Sequence, residues 1–472
     1  MCNEVIVTNN IPEAWKRAVT ILIYKKGDES LPENFRPITL EPITLKIFTS
    51  LIRDQIYEFL LKNEYIETHY QKGFTPEMSG TFEHIAEMEH VINQSRLKQR
   101  SLVITLIDLR NAFGTVNHNL IQAVLEYHHI PNNIGSIIGN LYGAFHLSIM
   151  TDNFNTNYIK VANGVLQGDC LSPLLFNMII NTIIQSLKQE KYQTFGARVL
   201  EGFGPRNWFQ FADDAAAVTS LESENQLLVN LFSRWCNWAD MEIRPDKCHT
   251  FGIKKSSTKS IQYSPKVYIN NVLVKSLKKD ESFLYLGRHF DFSMSDQEHK
   301  NELSSKLQEY LAKIDSLDIH PRNKMLIYQR YVLGKVSWHL TVTRISATWI
   351  KENLDNVVSN YVRSWMEIPV NGTLKIATLS KSKYGLNFLN VSTRFTQCQV
   401  TFRNALKNSR NKNINKLHQV TNKGTNIVSD SYLSTRDAIK KIRLRKKDAN
   451  QGRTLDAKPC HQSDMGPRMH QV

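Results

Sequence analysis

The sequence predicts an α+β protein, and three patterns support this prediction. Residues 101–109 form an apolar run of strand length that contains one acid, Asp108, near its end. Residues 208–218 place two strand-forming runs on either side of two adjacent acids, which is the pattern of a β-hairpin. From about residue 296 to residue 403 the apolar residues recur mostly at helical spacing instead. The predicted strands therefore concentrate before a long helical region.

The remaining elements follow from the same two periodicities, about 2 residues for a half-buried strand and about 3.6 residues for a helix. Helices are predicted on both sides of the strand at 101–109. Ser172 can cap a further helix whose first turn suits Pro173. In chain order the predictions are a strand at 18–24, helices at 45–60, 81–98 and 116–125, a helix from Ser172, a helix around 228–235, and strands at 267–274 and 283–287.

Charge and composition limit the classes of partner. The chain of 472 residues has 59 Lys and Arg against 44 Asp and Glu, a formal net charge of +15. Such an excess favours nucleic acid as a partner first and an anionic membrane surface second, with a merely basic surface as the alternative. The longest apolar stretch, 171–184, is too short and too interrupted to span a membrane. Neither a signal peptide nor a C-x-x-C pair is present, so a protein that is not secreted is expected.

The adjacent carboxylates Asp213 and Asp214 support the main functional hypothesis. Like charges repel, so folding alone gives no reason to place them side by side. Hard cations such as Mg²⁺ are commonly held by carboxylate oxygens. The alternative is a solvated turn, because Asp is common in turns. Asp108 ends another predicted strand, and three carboxylates on neighbouring strand ends can hold two divalent ions roughly 3.5–4 Å apart.

Seven short blocks occur in order along the chain. They are Asn-Phe-Arg-Pro-Ile-Thr-Leu at 34–40, Gln-Lys-Gly-Phe at 71–74, Asp-Leu-Arg-Asn-Ala-Phe at 108–113, Asn-Gly-Val-Leu-Gln-Gly-Asp-Cys-Leu-Ser-Pro at 163–173, Phe-Ala-Asp-Asp at 211–214, Arg-Pro-Asp-Lys at 244–247 and Phe-Leu-Tyr-Leu-Gly at 283–287. Together they resemble the reverse transcriptases of non-LTR (LINE-like) retrotransposons. The resemblance extends from about Trp15 to about Phe290, and more weakly to about Arg403.

The resemblance implies a right-hand polymerase fold with fingers, a palm whose antiparallel sheet holds the catalytic aspartates, and a helical thumb. It implies an RNA-directed DNA polymerase that adds dNTPs to a primer 3′-hydroxyl by two-metal phosphoryl transfer. The implied cofactor is a pair of Mg²⁺ ions, for which Mn²⁺ can substitute, and the partners are an RNA template, a DNA primer or target and dNTPs. The predicted domains are an N-terminal stub with fingers at 1–100, the palm at 101–290, the thumb at 291–403 and a basic, partly disordered tail at 404–472.

The resemblance also assigns the catalytic metal site. It implies that Asp108, Asp213 and Asp214 are catalytic and bind the metal ions. The main-chain carbonyl of Leu109 is implied as an additional ligand. Carboxylates in these roles stay ionised and act as ligands rather than as general acids or bases. Lys247 is implied to neutralise or protonate the leaving pyrophosphate, with a solvated lysine as the alternative.

Four further residues are implied to bind substrate. Phe113 would lie under the incoming sugar and exclude a ribose 2′-hydroxyl, the group that separates RNA from DNA; the alternative is a plain core phenylalanine. Arg36 would clamp the triphosphate with its planar fork, or would be a surface arginine. Gln167 and Gly168 would lie against the template and the nascent pair, or would form an ordinary turn before a helix. In the thumb, basic residues are expected to track the duplex backbone: Arg322, Lys324, Arg330, Lys335 and Arg344.

Two alternatives to a retrotransposon polymerase follow from the same blocks. One is an intron-maturase-like reverse transcriptase, and the other is a catalytically silent remnant that still binds nucleic acid. Neither an endonuclease nor a zinc-binding module is recognisable, so a truncated or partial copy is expected. Action in the nucleus is expected of the family, with the cytoplasm as the alternative. The basic run at 440–447 suits nuclear import or phosphate binding, and the resemblance implies no particular oligomeric state.

Overall fold

The computed structural model describes residues 1–200, 202–369, 371–379 and 385–421. The basic run at 440–447, and with it most of the predicted tail, lies outside the described residues. Within the described ranges no helix combines the length and the apolar character needed to cross a membrane. Helices and antiparallel sheets are mixed along the chain, so the α+β prediction is confirmed.

The chain divides into two compact units. The first comprises Met1–His84 and His90–Lys279, and the second comprises Ile85–Glu89 and the described residues from Asp280 onward. The hairpin at 283–290, which we predicted to belong to the palm, groups with the second unit. The predicted domain limits at 100, 290 and 403 otherwise stay predictions.

The first unit contains the strands and helices on which the predicted site depends. Its helices are α1 (Cys2–Thr8), α2 (Ile43–Lys62), α3 (Gly80–Leu97, without Ile85–Glu89), α4 (His118–Tyr127), α5 (Asn132–Ala144), α6 (Ser172–Leu187), α7 (Glu190–Gln193) and α8 (Glu222–Trp238). Its strands are β1 (Arg17–Tyr24), β2 (Phe35–Leu40), β3 (Leu102–Ile107), β4 (His146–Met150), β5 (Ile159–Lys160), β6 (Trp208–Phe211), β7 (Asp214–Thr219), β8 (His249–Lys255), β9 (Ser260–Tyr263), β10 (Tyr268–Ile269), β11 (Val272–Leu273) and β12 (Lys275–Ser276).

Two sequence predictions about these elements were wrong in detail. The predicted strand at 267–274 is a tight hairpin of β10 and β11, because Asn270 and Asn271 both take positive φ angles, 49° and 64°. Asparagine tolerates this conformation, which two-residue hairpin turns require. Ser172 does not cap α6: it is the first helical residue, and its hydroxyl lies 3.4 Å from the Asp169 carboxylate as a donor. Pro173 does occupy the first turn, as predicted.

The main sheet of the first unit has the strand order β12-β8-β3-β7-β6, with β9 paired to β8. Strand β3 is central and apolar, since it is antiparallel to both β7 and β8 and almost all of its residues are buried. A second sheet has the order β2-β1-β4-β5. Helix α6, which is buried along most of its length, belongs to the same apolar core as β3.

The second unit has its own apolar core and is mostly helical after one short hairpin. Two π-helical stretches, Tyr328–Val332 and Lys351–Asp355, join its helices. Arg344 makes hydrogen bonds to both carboxylate oxygens of Glu89, the shortest at 3.0 Å, so this predicted phosphate contact is engaged within the protein. The elements are β13 (Phe283–Tyr285), β14 (Arg288–Phe290), α9 (Gln297–Asp315), α10 (Pro321–Ile327), α11 (Leu333–Val342), α12 (Ala347–Ile350), α13 (Asn356–Trp365), α14 (Lys375–Thr378), α15 (Val391–Lys407) and α16 (Lys412–Thr421).

Candidate active site

The two adjacent acids lie at the tip of a hairpin, as predicted. Strands β6 and β7 pair antiparallel with Phe211 opposite Asp214, so Ala212 and Asp213 form the two-residue turn. Ala212 is buried and has a φ of 51°, a conformation that residues with a side chain rarely adopt. Asp213 is half-buried and Asp214 is exposed, so the carboxylates stand at the boundary between the sheet and solvent.

The register of the sheet brings the third acid to the same place. Ile107 of β3 pairs with Ala215 of β7, so the next residues, Asp108 and Asp214, are neighbours across the end of the two antiparallel strands. Although more than 100 residues separate these acids in the sequence, pairing of β3 with the hairpin joins them. The sequence prediction that the three aspartates share one end of a sheet thus has a geometric basis in this structure.

Asp108 is held by an arginine from the block at 244–247. The Arg244 Nε and a terminal guanidinium nitrogen lie 2.6 Å and 2.5 Å from the same carboxylate oxygen of Asp108. The main chain supports this ion pair, because the Arg244 N–H donates to the Asp108 carbonyl at 2.9 Å and Leu109 bridges to Ile243. The lysine of this block was predicted as a site residue, whereas the arginine was not. A cation that binds Asp108 would therefore compete with Arg244.

The electrostatics of the acid cluster favour a positive partner. Burial raises the pKa of Asp213, and the negative charge of Asp108 adds to this rise, while Arg36 and Arg244 oppose it. The pKa of Asp214 is raised to about 6, first by the surrounding protein, which displaces solvent, and then by the charges of Asp213 and Asp108. Part of the Asp214 side chain is nevertheless exposed. Three carboxylates that repel one another in this way gain from a neighbouring cation.

Oxygen donors of this kind suit Mg²⁺ or Mn²⁺ in their chemistry. The positions of these donors, in contrast, do not form a complete metal site. Among the described residues, no group of three or more Asp, Glu, His or Cys side chains is gathered closely enough to hold a metal ion. One of the three carboxylates, Asp108, is already engaged in an ion pair with Arg244. The donor set therefore fits a divalent cation, provided that Asp108 is released from Arg244.

The residues predicted to bind substrate lie on elements near the acids. Arg36 is exposed on β2, and its charge opposes the rise in the pKa of Asp213, so the two are within electrostatic reach. The N–H of Thr39 on the same strand donates to the Gln167 carbonyl at 2.7 Å. Gly168 has a φ of 135°, and a Cβ there would lie 2.2 Å from the Thr39 carbonyl oxygen. Only glycine permits this close approach between the block at 163–173 and β2.

Phe113 and Lys247 differ in how firmly the structure fixes them. Phe113 stacks on Phe176 of α6 with ring centroids 4.6 Å apart, and the exposed Phe74 meets it edge-on at 6.3 Å. The aromatic ring of Phe113 is thus held against the core while part of it remains accessible. Lys247 is exposed in a turn, where its N–H donates to the Arg244 carbonyl at 3.0 Å.

A second pair of acids, Glu41 directly after β2 and Asp169 beside Gly168, was not predicted. Glu41 is 8% exposed, and neither of its carboxylate oxygens has a hydrogen-bond partner among the described residues. Asp169 is buried and accepts a hydrogen bond from the Tyr142 hydroxyl at 3.0 Å. Burial, and then the charge of Asp169, raises the pKa of Glu41 to about 8. No periodicity in the sequence marks Glu41 as buried, because it follows the exposed end of β2.

Replacing Glu41 by Gln is expected to stabilise the protein near neutral pH. The carboxyl group stays protonated in the folded state up to about pH 8 but ionises in the unfolded chain near its ordinary pKa of 4.5. The contribution of this carboxyl group to the free energy of unfolding is therefore fully present below pH 4.5 and is lost as the pH rises toward 8. Near pH 7 the substitution should raise the free energy of unfolding by about 3 kcal/mol, because each pH unit above the ordinary pKa costs about 1.36 kcal/mol. Urea denaturation at pH 5, 7 and 8 measures the difference.

The matched control for this substitution is Glu58→Gln, at an exposed position on α2. The control should leave the pH dependence of the free energy of unfolding unchanged. An equally steep loss of stability in the Glu41→Gln variant would contradict a protonated Glu41.

Residues 23–290 match the family described as reverse transcriptase (RNA-dependent DNA polymerase). The chain belongs to this family. All seven blocks of the sequence analysis fall within the matched residues. The predicted right-hand polymerase fold is therefore confirmed at the level of the family. Reverse transcriptases generally use divalent metal ions and bind an RNA template and a primer, which agrees with the predicted class of cofactor and partner.

Relatives of this reverse transcriptase include Pol polyproteins of R2 elements, which confirm the predicted non-LTR retrotransposon type. The polyprotein of the type-2 retrotransposable element R2DM from Drosophila melanogaster is 23% identical over 374 residues, which cover 78% of this chain and 34% of that protein. The R2 polyprotein from Nasonia vitripennis is 23% identical over 371 residues, with coverages of 78% and 34%. The chain thus spans about a third of the length of these relatives.

Among solved structures, telomerase from Candida tropicalis in complex with a TWJ fragment of telomeric RNA overlaps with a TM-score of 0.40 at 12% identity. The overlap covers 90% of this chain and 67% of that one. A similarity of this size adds nothing to the family assignment.

Proposed function

We propose that this reverse transcriptase is an active RNA-directed DNA polymerase of a non-LTR retrotransposon, which extends a primer 3′-hydroxyl with dNTPs on an RNA template. The observation that supports it most is the register of β3 with β7, which gathers Asp108, Asp213 and Asp214 at one sheet end. The proposal includes a DNA primer or target as a partner and action in the nucleus.

The chain's own residues would divide the work as follows. Asp108, Asp213, Asp214 and the Leu109 carbonyl would hold two Mg²⁺ ions. The bound ions would lower the pKa of the attacking hydroxyl and stabilise the charge on the transferring phosphorus. To serve as a metal ligand, Asp108 would have to leave its ion pair with Arg244.

Substrate binding would fall to residues around the acids. Arg36 places a guanidinium near Asp213, where it can hold triphosphate oxygens in a bidentate manner. Gln167 and Gly168, fixed against β2, would face the template and the nascent pair. Lys247 is exposed in the neighbouring turn and would meet the leaving pyrophosphate.

Primer extension tests the proposed function directly. The purified chain is incubated with a DNA primer annealed to an RNA template, Mg²⁺ and each dNTP, and the products are resolved at single-nucleotide length. We expect extension that follows the template sequence and requires the divalent ion. Absence of extension, with RNA binding intact, would replace this proposal with the silent nucleic-acid-binding alternative.

Phe113→Val is expected to admit ribonucleotides. In the proposed role, the ring of Phe113, which stacks on Phe176, would occupy space that a ribose 2′-hydroxyl needs, and valine would remove most of the ring. Relief of such a clash is worth roughly 1–3 kcal/mol, so the ratio of rNTP to dNTP incorporation should rise about 10- to 100-fold. Single-nucleotide incorporation with rNTP and dNTP series measures this ratio. Phe154→Val, at an exposed position, is the control, and an unchanged ratio in Phe113→Val would remove the gate role.

A further inference from the structure

The turn that presents the two acids has an unusual backbone. Ala212 has a φ of 51°, and hairpin turns with a positive φ at this position favour glycine, which pays no steric penalty there. An alanine in this conformation persists only when its surroundings impose it. The groups that impose it therefore also set the directions of Asp213 and Asp214, which follow directly in the chain.

Two buried glutamines bind the two peptide groups of Ala212. The Gln71 Oε1 accepts the Ala212 N–H at 3.0 Å, and the Gln210 Nε2 donates to the Ala212 carbonyl at 2.7 Å. Gln210 is itself fixed, because its Oε1 accepts the Trp208 Nε1–H at 2.7 Å. Gln71 is 1% exposed and Gln210 is fully buried, so water does not compete with these bonds.

The main chain around Gln71 brings it to the hairpin. Gln71 forms a parallel bridge with Gln210 of β6, and the Lys72 N–H donates to the Gln210 carbonyl at 3.1 Å. The Gly73 N–H donates to the same Gln71 Oε1 at 2.8 Å. A Cβ on Gly73 would lie 2.6 Å from the Ala212 nitrogen, so a side chain there would force the two segments apart. The block at 71–74 thus supplies an acceptor and the close approach that the acceptor needs.

We propose that Gln71 and Gln210 are positioning residues that hold Ala212 in its left-handed conformation and thereby aim Asp213 and Asp214. Their catalytic consequence rests on the proposed polymerase function, whereas their effect on the turn does not. Both glutamines act through the backbone of Ala212. Loss of the Gln71 acceptor releases the turn and moves the carboxylates away from their working positions.

Gln71→Met removes the acceptor while keeping the length of the side chain. Because a misplacement of about 1 Å can cost 100-fold in rate, we expect kcat for primer extension to fall about 10- to 100-fold. The KM for dNTP should stay close to that of the wild type, since the substrate contacts remain. In hydrogen–deuterium exchange, the Ala212 N–H should exchange faster in this variant. Gln55→Met, at an exposed position on α2, is the matched control and should change neither measurement.

Two rescuing variants separate positioning from simple packing. Gln71→Glu keeps an oxygen acceptor for both N–H groups, and the Gln71 Nε2 that it replaces has no partner among the described residues. Because position 71 is buried next to the aspartate hairpin, the new carboxyl should stay protonated and so be neutral like the amide. This variant should therefore retain most of kcat. Ala212→Gly adopts a positive φ without strain, so the double variant Gln71→Met, Ala212→Gly should recover most of the lost kcat.

The outcomes distinguish this inference from the proposed function. If the wild-type chain fails to extend primers but its Ala212 N–H exchanges faster after Gln71→Met, the polymerase function is overturned and the positioning role of Gln71 is supported. An unchanged exchange rate of the Ala212 N–H in folded Gln71→Met overturns the positioning role. An unchanged kcat of this variant, in a protein that is active, also overturns it. Failure of Ala212→Gly to restore kcat would show that Gln71 acts by another route. If Gln71→Met does not fold, the activity of Gln71→Glu tests the positioning role instead, and loss of this activity counts against it.

Discussion

Asp213→Asn is expected to reduce primer extension about 100- to 1,000-fold, a loss of the size found when a principal charge-stabilising group is removed. Asparagine keeps the shape of the side chain but lacks the negative charge that attracts a divalent cation. The fold should not suffer, because burial, and then the charges of the neighbouring acids, already raise the pKa of Asp213 and Asp214, and the substitution removes one of these charges. Extension rates on an RNA template and the melting temperature measure the two effects.

The same variant separates catalysis from binding. RNA affinity, measured by filter binding, should stay within a few fold of the wild type, because phosphate contacts come from basic residues. Asp152→Asn, at an exposed loop position, is the matched control and should extend primers normally. Normal extension by Asp213→Asn would exclude the hairpin acids from the chemistry.

Lys72→Met is expected to destabilise the first unit by about 3–5 kcal/mol. Lys72 and Glu83 form an ion pair with a 2.9 Å separation between ammonium nitrogen and carboxylate oxygen, and both side chains are almost fully buried. Removing one partner leaves the other charge in a medium that solvates it poorly. Urea denaturation, followed by tryptophan fluorescence, measures the free energy of unfolding.

The double variant Lys72→Met, Glu83→Gln removes both charges and should recover a large part of this loss, because the buried charge of Glu83 is then removed as well. Lys62→Met, at an exposed position near the end of α2, is the matched control. A double variant as unstable as Lys72→Met would indicate that packing of the lysine stem, rather than charge pairing, stabilises this position.

The sequence predicted the position of the acids because both signals are local. The apolar run at 101–109 and the paired runs at 208–218 each identify their strand without knowledge of the rest of the fold. The prediction that β3 lies beside the hairpin came from the resemblance, and the register of Ile107 with Ala215 agrees with it. The functional role of every predicted site residue stays a prediction, that is, of Asp108, Leu109, Asp213, Asp214, Arg36, Phe113, Gln167, Gly168 and Lys247.

What the sequence could not provide were contacts between segments distant in the chain. Arg244 reaches Asp108 across 136 positions, and Gln71 reaches Ala212 across 141. Neither pair follows from propensity or periodicity, because both depend on which strand edges meet. The hairpin at 267–274 was missed for a different reason: Asn270 and Asn271 interrupt a strand-like run, and the apolar pattern around them outweighed this turn signal.

The short stretch at 70–72 also protects the protein from a hazard of exposed strands. Strand β6 lies at one border of the main sheet, and backbone bonds from Lys72 and to Tyr70 cover part of its open side. At the opposite border, β8 pairs with two short strands, β12 of two residues, one of them Lys275, and β9 of four residues. Covered, short and charged borders resist pairing with strands of other chains. The sheet can therefore present its acids at one end without inviting aggregation along its sides.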